Sequence, residues 1–216
     1  MIATLFYIHD PMCSWCYDFE ASFCALQKAL PTSVRVIKLV GGLAPDTTET
    51  MPDDLQKSIQ QTWHRIEQTV PNIQFNYDFW TINTPVRSTY PACRAILAAK
   101  KQGADFEAKM ISAIQTAYYR KAKNPSLQST LLECAAETGL DVSEFANDLA
   151  GNEVENCLQN EISMARRLGA TSFPSLRLEH NGRISPITVG YLGHGTMLNK
   201  ISGTLKCKRP SMSWHI

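Results

Sequence analysis

The chain has 216 residues, of which 44% are hydrophobic and 19% charged, with a formal net charge of +1. That length and apolar content can bury a substantial core, in one large domain or in a domain with an insertion. The near-neutral charge argues against a nucleic-acid or membrane surface, and no stretch approaches the ~18 apolar residues of a membrane span. The one dense basic cluster, Lys206, Lys208 and Arg209, reads as a solvated C-terminus. The start, MIATLFYIHDPM, has no basic leader and no small-residue cleavage site, so a cytoplasmic location is expected. Seven irregularly spaced cysteines fit that compartment, with Cys24, Cys93, Cys134 and Cys157 read as small hydrophobes rather than bridges.

In chain order, Ile2 to Ile8 is a continuous apolar and β-branched run, the mark of a buried central strand. Asp10-Pro11 ends it. Phe19, Phe23, Leu26 and Leu30 then recur with helical spacing up to Pro31, and Val34 to Val40 reads as a second buried strand closed by Gly41-Gly42. This is a βαβ unit with parallel strands. A helical block follows: a stripe of Leu55, Ile59, Trp63, Ile66 and Val70, another of Ala92, Ala95, Ile96 and Ala99, then candidate helices at 106–118, 127–136, 143–149 and 154–168. At the far end, runs at 175–179 and 184–189 flank His180-Asn181-Gly182-Arg183, a hairpin signal, and a short helix is expected at 196–205.

The order β-α-β, helical block, β-β-α predicts an α/β thioredoxin-like fold carrying an inserted all-helical domain. The expected boundaries are 1–45 with 170–216 for the thioredoxin-like part and 46–169 for the insertion. In such a fold the first helix opens just beyond the carboxyl end of a central strand, where Cys13-Ser14-Trp15-Cys16 stands. Seven cysteines would yield a C-x-x-C by chance about one time in five, so the position is the informative part.

A thiol at a helix N-terminus faces unpaired amides and the positive end of the macrodipole, which favour the thiolate. Cys13 is therefore the expected nucleophile, and Cys16, one turn further in, the resolving thiol that attacks a mixed disulfide on Cys13. Ser14 and Trp15 are candidate substrate-contacting residues that also set the donors around the Cys13 sulfur. Trp15 either lies exposed as an aromatic platform or packs on the helical block. His9 is expected to be an ordinary loop histidine and Asp10 to cap the segment before Pro11. A second motif, Thr171-Ser172-Phe173-Pro174-Ser175-Leu176, precedes the terminal hairpin. A cis Phe173–Pro174 peptide is expected there, facing the cysteines and turning the Phe173 backbone toward a substrate peptide, although only about 5–6% of folded X–Pro bonds are cis. Weaker candidates are Arg87 and Arg94, which flank the Tyr90-Pro91-Ala92-Cys93 helix start and either line a substrate pocket or, the favoured reading, are surface arginines; Cys93 as an extra redox thiol; His64 and His194, for which the sequence names no partner; and His215 in the tail.

With DPMCSWC at 10–16, YPACRAILAAK at 90–100 and GATSFPSL at 169–176, the chain resembles the DsbA superfamily, most closely its cytoplasmic FrnE-like branch. The resemblance covers nearly the whole chain. It implies a thioredoxin domain interrupted by helices, Cys13 and Cys16 as the redox pair, and Pro174 as the cis-proline. It implies a thiol–disulfide oxidoreductase or isomerase acting on protein or small-thiol disulfides, glutathione among them, without a cofactor or metal. Ser172 stands where relatives often carry Gly, and Ser14-Trp15 replace the Pro-His of exported DsbA enzymes.

Two rival readings remain open. A glutathione-dependent transferase or isomerase of the kappa-transferase and hydroxychromene-carboxylate isomerase type has a serine where Cys13 stands, and Cys16 argues against it. A metal-binding module using Cys13, Cys16 and Cys24 or His9 lacks the second Cys pair that such zinc sites want.

Overall fold

The computed structural model describes residues 3–206, so Ile2, Lys208, Arg209 and His215 of the sequence reading lie outside the described residues. Strand β1 (Ala3–His9) leads to helix α1 (Ser14–Ala29) and strand β2 (Val34–Val40). Helices α2 (Asp53–Thr69), α3 (Phe79–Ile82), α4 (Tyr90–Lys101), α5 (Ala104–Tyr119), α6 (Gln128–Thr138), α7 (Val142–Leu149) and α8 (Asn152–Arg167) follow. Strands β3 (Ser175–His180) and β4 (Arg183–Ile187) and helix α9 (Gly195–Lys206) complete the described chain. This is the thioredoxin-like arrangement, with a run of helices between β2 and β3.

The sheet has the order β2-β1-β3-β4. β1 runs parallel to β2, from Ala3 opposite Val34 to His9 opposite Val40, and antiparallel to β3, with Leu5 opposite Leu178. β1 is central and covered on both faces, which is why its sequence is continuously apolar. Ala3, Leu5 and Tyr7 pack with Phe19, Phe23 and Leu26 of α1 and Met197 and Ile201 of α9. Phe6 and Ile8, on the opposite face by the two-residue strand period, meet Leu39, Ala165 and Ala170. Each such large side chain contributes about 1.5–3 kcal/mol of burial.

Helix α1 ends where Leu30 turns extended at ψ 141°, the conformation forced on a residue before proline. The β3–β4 hairpin turns on Asn181 and Gly182, both at positive φ (56° and 74°), as a type I′ turn requires.

Two expectations are corrected here. β2 is not a second buried strand but an edge strand with Arg35 exposed, although its Val40 amide is covered by a 2.7 Å hydrogen bond to Glu161 Oε2 on α8. The single-turn helix α3 was absent from the sequence reading, since four residues are too few to display a helical period. The helical block packs around Trp63, Ile66, Ile96, Met110, Ile114, Leu131 and Phe145, in a core that also takes in Met12 and Val40.

Candidate active site

Cys13 is the N-cap residue of α1, extended at φ −83° and ψ 114°, and its side chain makes no capping hydrogen bond. Its carbonyl accepts the amides of Cys16 at 2.9 Å and Tyr17 at 3.0 Å, which locks the start of the helix. The Cys13 thiol donates instead to the carbonyl of Phe173, 160 residues away, at 3.4 Å. The Phe173–Pro174 peptide bond is cis. The Phe173 ring lies against the backbone at the end of β2, where a side chain added at Gly41 would come within 2.1 Å of it.

The fold therefore brings Cys13, Cys16, Phe173 and Pro174 to one end of the sheet. Both cysteines are unbridged. Cys13 keeps 7% exposure and Cys16 none, so Cys13 is the more accessible of the two. The Cys16 thiol is pushed well above its ordinary pKa, first by burial, then by its hydrogen bond with Cys13 and the charge of that neighbour, while a backbone hydrogen bond from Asp10 works the other way.

Ser14 and Trp15 point in different directions. Ser14 is buried, and its Oγ accepts a 2.8 Å hydrogen bond from Trp63 Nε1 on α2, tying the turn between the cysteines to the helical block. Trp15 is half-buried, packs beside the helical core and has its ring 4.9 Å from that of Tyr191. Of the two expectations, packing on the helical block is the one the structure shows, with the ring half-buried rather than exposed.

His9 is corrected from a loop histidine to the last residue of β1, 2% exposed and stacked on Tyr7 at 5.0 Å. Burial, assisted by Lys38 and Lys100, brings its pKa down to about 3, which leaves it neutral and removes it as a proton carrier near neutral pH. Although the N-cap residue of α1 is Cys13, Asp10 caps the short turn ahead of the helix, as expected. Its buried carboxylate accepts from Met12 N at 2.9 Å, Leu43 N at 2.8 Å, Thr89 Oγ1 at 2.7 Å and Cys93 Sγ at 3.5 Å. Burial raises its pKa against these four bonds. Cys93 is in turn pushed well above the ordinary thiol range by burial and by Asp10, and so stays protonated.

Arg94 forms ion pairs with Asp46 at 2.7 Å and Glu155 at 3.0 Å, a tie between elements rather than a free pocket charge. Cys24 and Cys157 are exposed, so the small-hydrophobe reading holds for Cys93 and Cys134 but not for them. His64 has a partner unseen in sequence, Tyr77 Oη at 3.0 Å.

Sequence reasoning missed Trp63, Thr89, Tyr191 and Asp18 as neighbours of the site. One signal was available: Ser14, Asp18 and Ser22 repeat every four residues and form a buried polar stripe along α1. Ser22 Oγ donates to the Tyr191 carbonyl at 2.9 Å. Among the described residues no cluster of three His, Cys, Asp or Glu is placed to hold a metal ion, and no helix is long and apolar enough to cross a membrane.

Comparison with known proteins agrees with this geometry. A structure from Nitrosomonas europaea, provisionally designated a protein disulfide isomerase, superposes with a TM-score of 0.82 at 22% identity, covering 94% of this chain and 97% of that one. The cytosolic disulfide reductase DsbM from Pseudomonas aeruginosa gives 0.74 at 28% identity, covering 94% and 98%, and is also known with glutathione. Among curated proteins, the ClpXP adapter protein SpxH of Halalkalibacterium halodurans is 23% identical over 170 residues, 77% of this chain; the chain spans 55% of that relative's length. The thioredoxin family matches residues 6–183. A match that runs from within β1 to the first residue of β4 takes in both cysteines and the Phe173–Pro174 turn, and the chain belongs to the thioredoxin family.

Proposed function

We propose that the protein is a thiol–disulfide oxidoreductase of the DsbA type, exchanging disulfides with protein or small-thiol substrates through Cys13 and Cys16. The observation that carries this reading is the meeting of Cys13 Sγ, at the mouth of α1, with the carbonyl of Phe173 beside Pro174, while the second thiol lies enclosed one turn behind it. The Cys13 thiolate attacks a substrate disulfide, forms a mixed disulfide and releases one substrate sulfur as thiolate. The Cys16 thiol loses its proton and attacks the Cys13 sulfur, releasing the second substrate thiol. The substrate gains two electrons and the pair ends as a disulfide. Phe173 and Pro174 line the place where the substrate chain lies, with Ser14 and Trp15 at its edge. We place the insertion at 46–169 and read it as the support that holds Ser14 through Trp63.

Likeness to a reductase named cytosolic supports a cytoplasmic setting and, with it, net reduction or shuffling rather than oxidation, with glutathione as a small-thiol partner. The test is trapping. Cys16→Ser, mixed with a disulfide substrate, accumulates a Cys13 mixed disulfide, and Cys13→Ser does not. Conjugating activity toward glutathione that survives Cys16→Ser would instead select the transferase reading. The equilibrium of the pair against glutathione then fixes its direction on a scale running from about −270 to about −120 mV.

A second reading follows from the relatives named as ClpXP adapters. On it, the fold binds a protein partner without turnover. That reading requires a stable complex to persist when both cysteines are replaced by serine.

A further inference from the structure

Among the described residues, Asp18 is the one carboxyl with both oxygens enclosed and neither hydrogen-bonded by any protein group. It is 3% exposed and lies on α1 one turn beyond Ser14 and one turn before Ser22. Ser14 has Trp63 as its partner and Ser22 has the Tyr191 carbonyl, so the middle of the stripe is left unmatched. An ionised carboxylate in such a place is unfavourable until it takes a proton or a cation.

The cover over this stripe is the segment between β4 and α9. It meets α1 through the Ser22–Tyr191 hydrogen bond and the Tyr191 ring, 4.9 Å from Trp15 and 6.0 Å from Phe19, and Val189 packs on the cluster that includes Phe19 and Phe23. Leu192 beside Tyr191 is 74% exposed. Gly190 and Gly193 bracket the pair, and Gly193 has φ +154°, a backbone state open to glycine, so the segment can pivot at its end without strain in a side chain. The Tyr191 ring senses the charges of Cys13, Cys16 and Asp18 together, which places the carboxyl in the same neighbourhood as the redox pair. Two aromatic rings, Trp15 and Tyr191, border the same corner and present faces that attract cations.

We infer that Asp18 is the floor of a cation-accepting subsite beside the redox pair, uncovered when the Tyr191 segment lifts, and that it takes the ammonium or guanidinium group of a basic residue adjoining the substrate's half-cystine. This rests on the thiol–disulfide reading above. The titratable groups that meet this corner are Tyr191 from the covering segment and Cys13 and Cys16 from the mouth of α1. Burial alone raises the Asp18 pKa, to about 6, with no lysine or arginine among its influences, so the carboxylate is available to an incoming cation near neutral pH.

The experiment uses the reduced full chain and two disulfide peptides that differ only in carrying lysine or norleucine beside the half-cystine. Reduction rates of both are measured from pH 5 to pH 8 for the native protein and for Asp18→Asn. At pH 7.5 the native protein prefers the lysine peptide by about tenfold, the preference shrinks as pH falls through about 6, and it is absent in the variant. Each preference is a ratio within one protein, so incomplete folding of the variant does not alter it. Equal rates for the two peptides in the native protein, or a lysine preference unchanged in Asp18→Asn, overturns the inference. If neither peptide is reduced, the redox reading has failed and calorimetric binding of the same peptides decides the subsite. An Asp18-dependent preference for lysine sustains it, and equal binding removes it.

Discussion

Two buried carboxyls flank the Cys13–Cys16 turn, Asp10 three residues before it and Asp18 two residues after it, and the protein treats them in opposite ways. Asp10 collects four donors from three parts of the chain: its own loop, the segment after β2 and the start of α4. Asp18 collects none. Burial raises the pKa of both, so burial by itself does not separate a structural carboxyl from a poised one. Hydrogen-bond satisfaction does, because an accepting network fixes a charge in place while an unmatched charge is held in an environment that resists it.

The comparison breaks first at Asp10. Replacing it with alanine strips the acceptor from two amides, the Thr89 hydroxyl and the Cys93 thiol at once, and should lower stability by about 3–5 kcal/mol, read as a fall in the urea midpoint at constant slope. Retention of stability within about 1 kcal/mol would mean that the network is ornamental.

Asp18 should act in the opposite direction and with pH. Its folded pKa, about 6, lies above the usual carboxylate value of 3.8. The native state therefore binds this proton more tightly than the unfolded chain. The associated stability is complete below pH 3.8, declines as pH rises toward 6 and is gone above it. Discounted for solvent screening, that amounts to about 1–2 kcal/mol. Asp18→Asn should flatten stability over that window, which unfolding curves at pH 4 and pH 7 compare directly.

Smaller effects sharpen the contrast along the same stripe. Ser14→Ala leaves the buried Trp63 indole without its acceptor and should cost about 1–2 kcal/mol, with the loss seen equally by far-ultraviolet and tryptophan fluorescence unfolding. Ser22→Ala removes only the bond to the Tyr191 carbonyl. It should cost about 0.5–1 kcal/mol and speed amide exchange in residues 189–193 while leaving β1 and α1 protected.

The parts of this molecule that show in its sequence are those whose cause is local. The unbroken apolar run of β1 reports a strand covered on both faces, and Asn181-Gly182 reports the turn that joins β3 to β4. The cysteine spacing reports the mouth of α1. β2 interrupts its apolar run with Arg35 and Lys38 and lies at the sheet edge, although strand order also depends on which partners the far end of the chain supplies. The four donors to Asp10 come from up to 83 residues away, and Trp63 reaches Ser14 across 49, so no window of sequence contains them. The unmatched state of Asp18 was the least legible of all: the stripe Ser14-Asp18-Ser22 is visible, but its partners come from α2 for Ser14 and from a loop near the other end of the chain for Ser22.

Gly41 and Phe173 share one small volume, the ring of the second occupying the space that a side chain on the first would need. Size at these two positions is thus a single quantity divided between them. Homologues with a bulkier residue at the end of β2 should carry a smaller one ahead of the proline. Because the Phe173 carbonyl is the acceptor of the Cys13 thiol, a change of size at Gly41, far from the cysteines in sequence, would reach the Cys13 sulfur through this one residue.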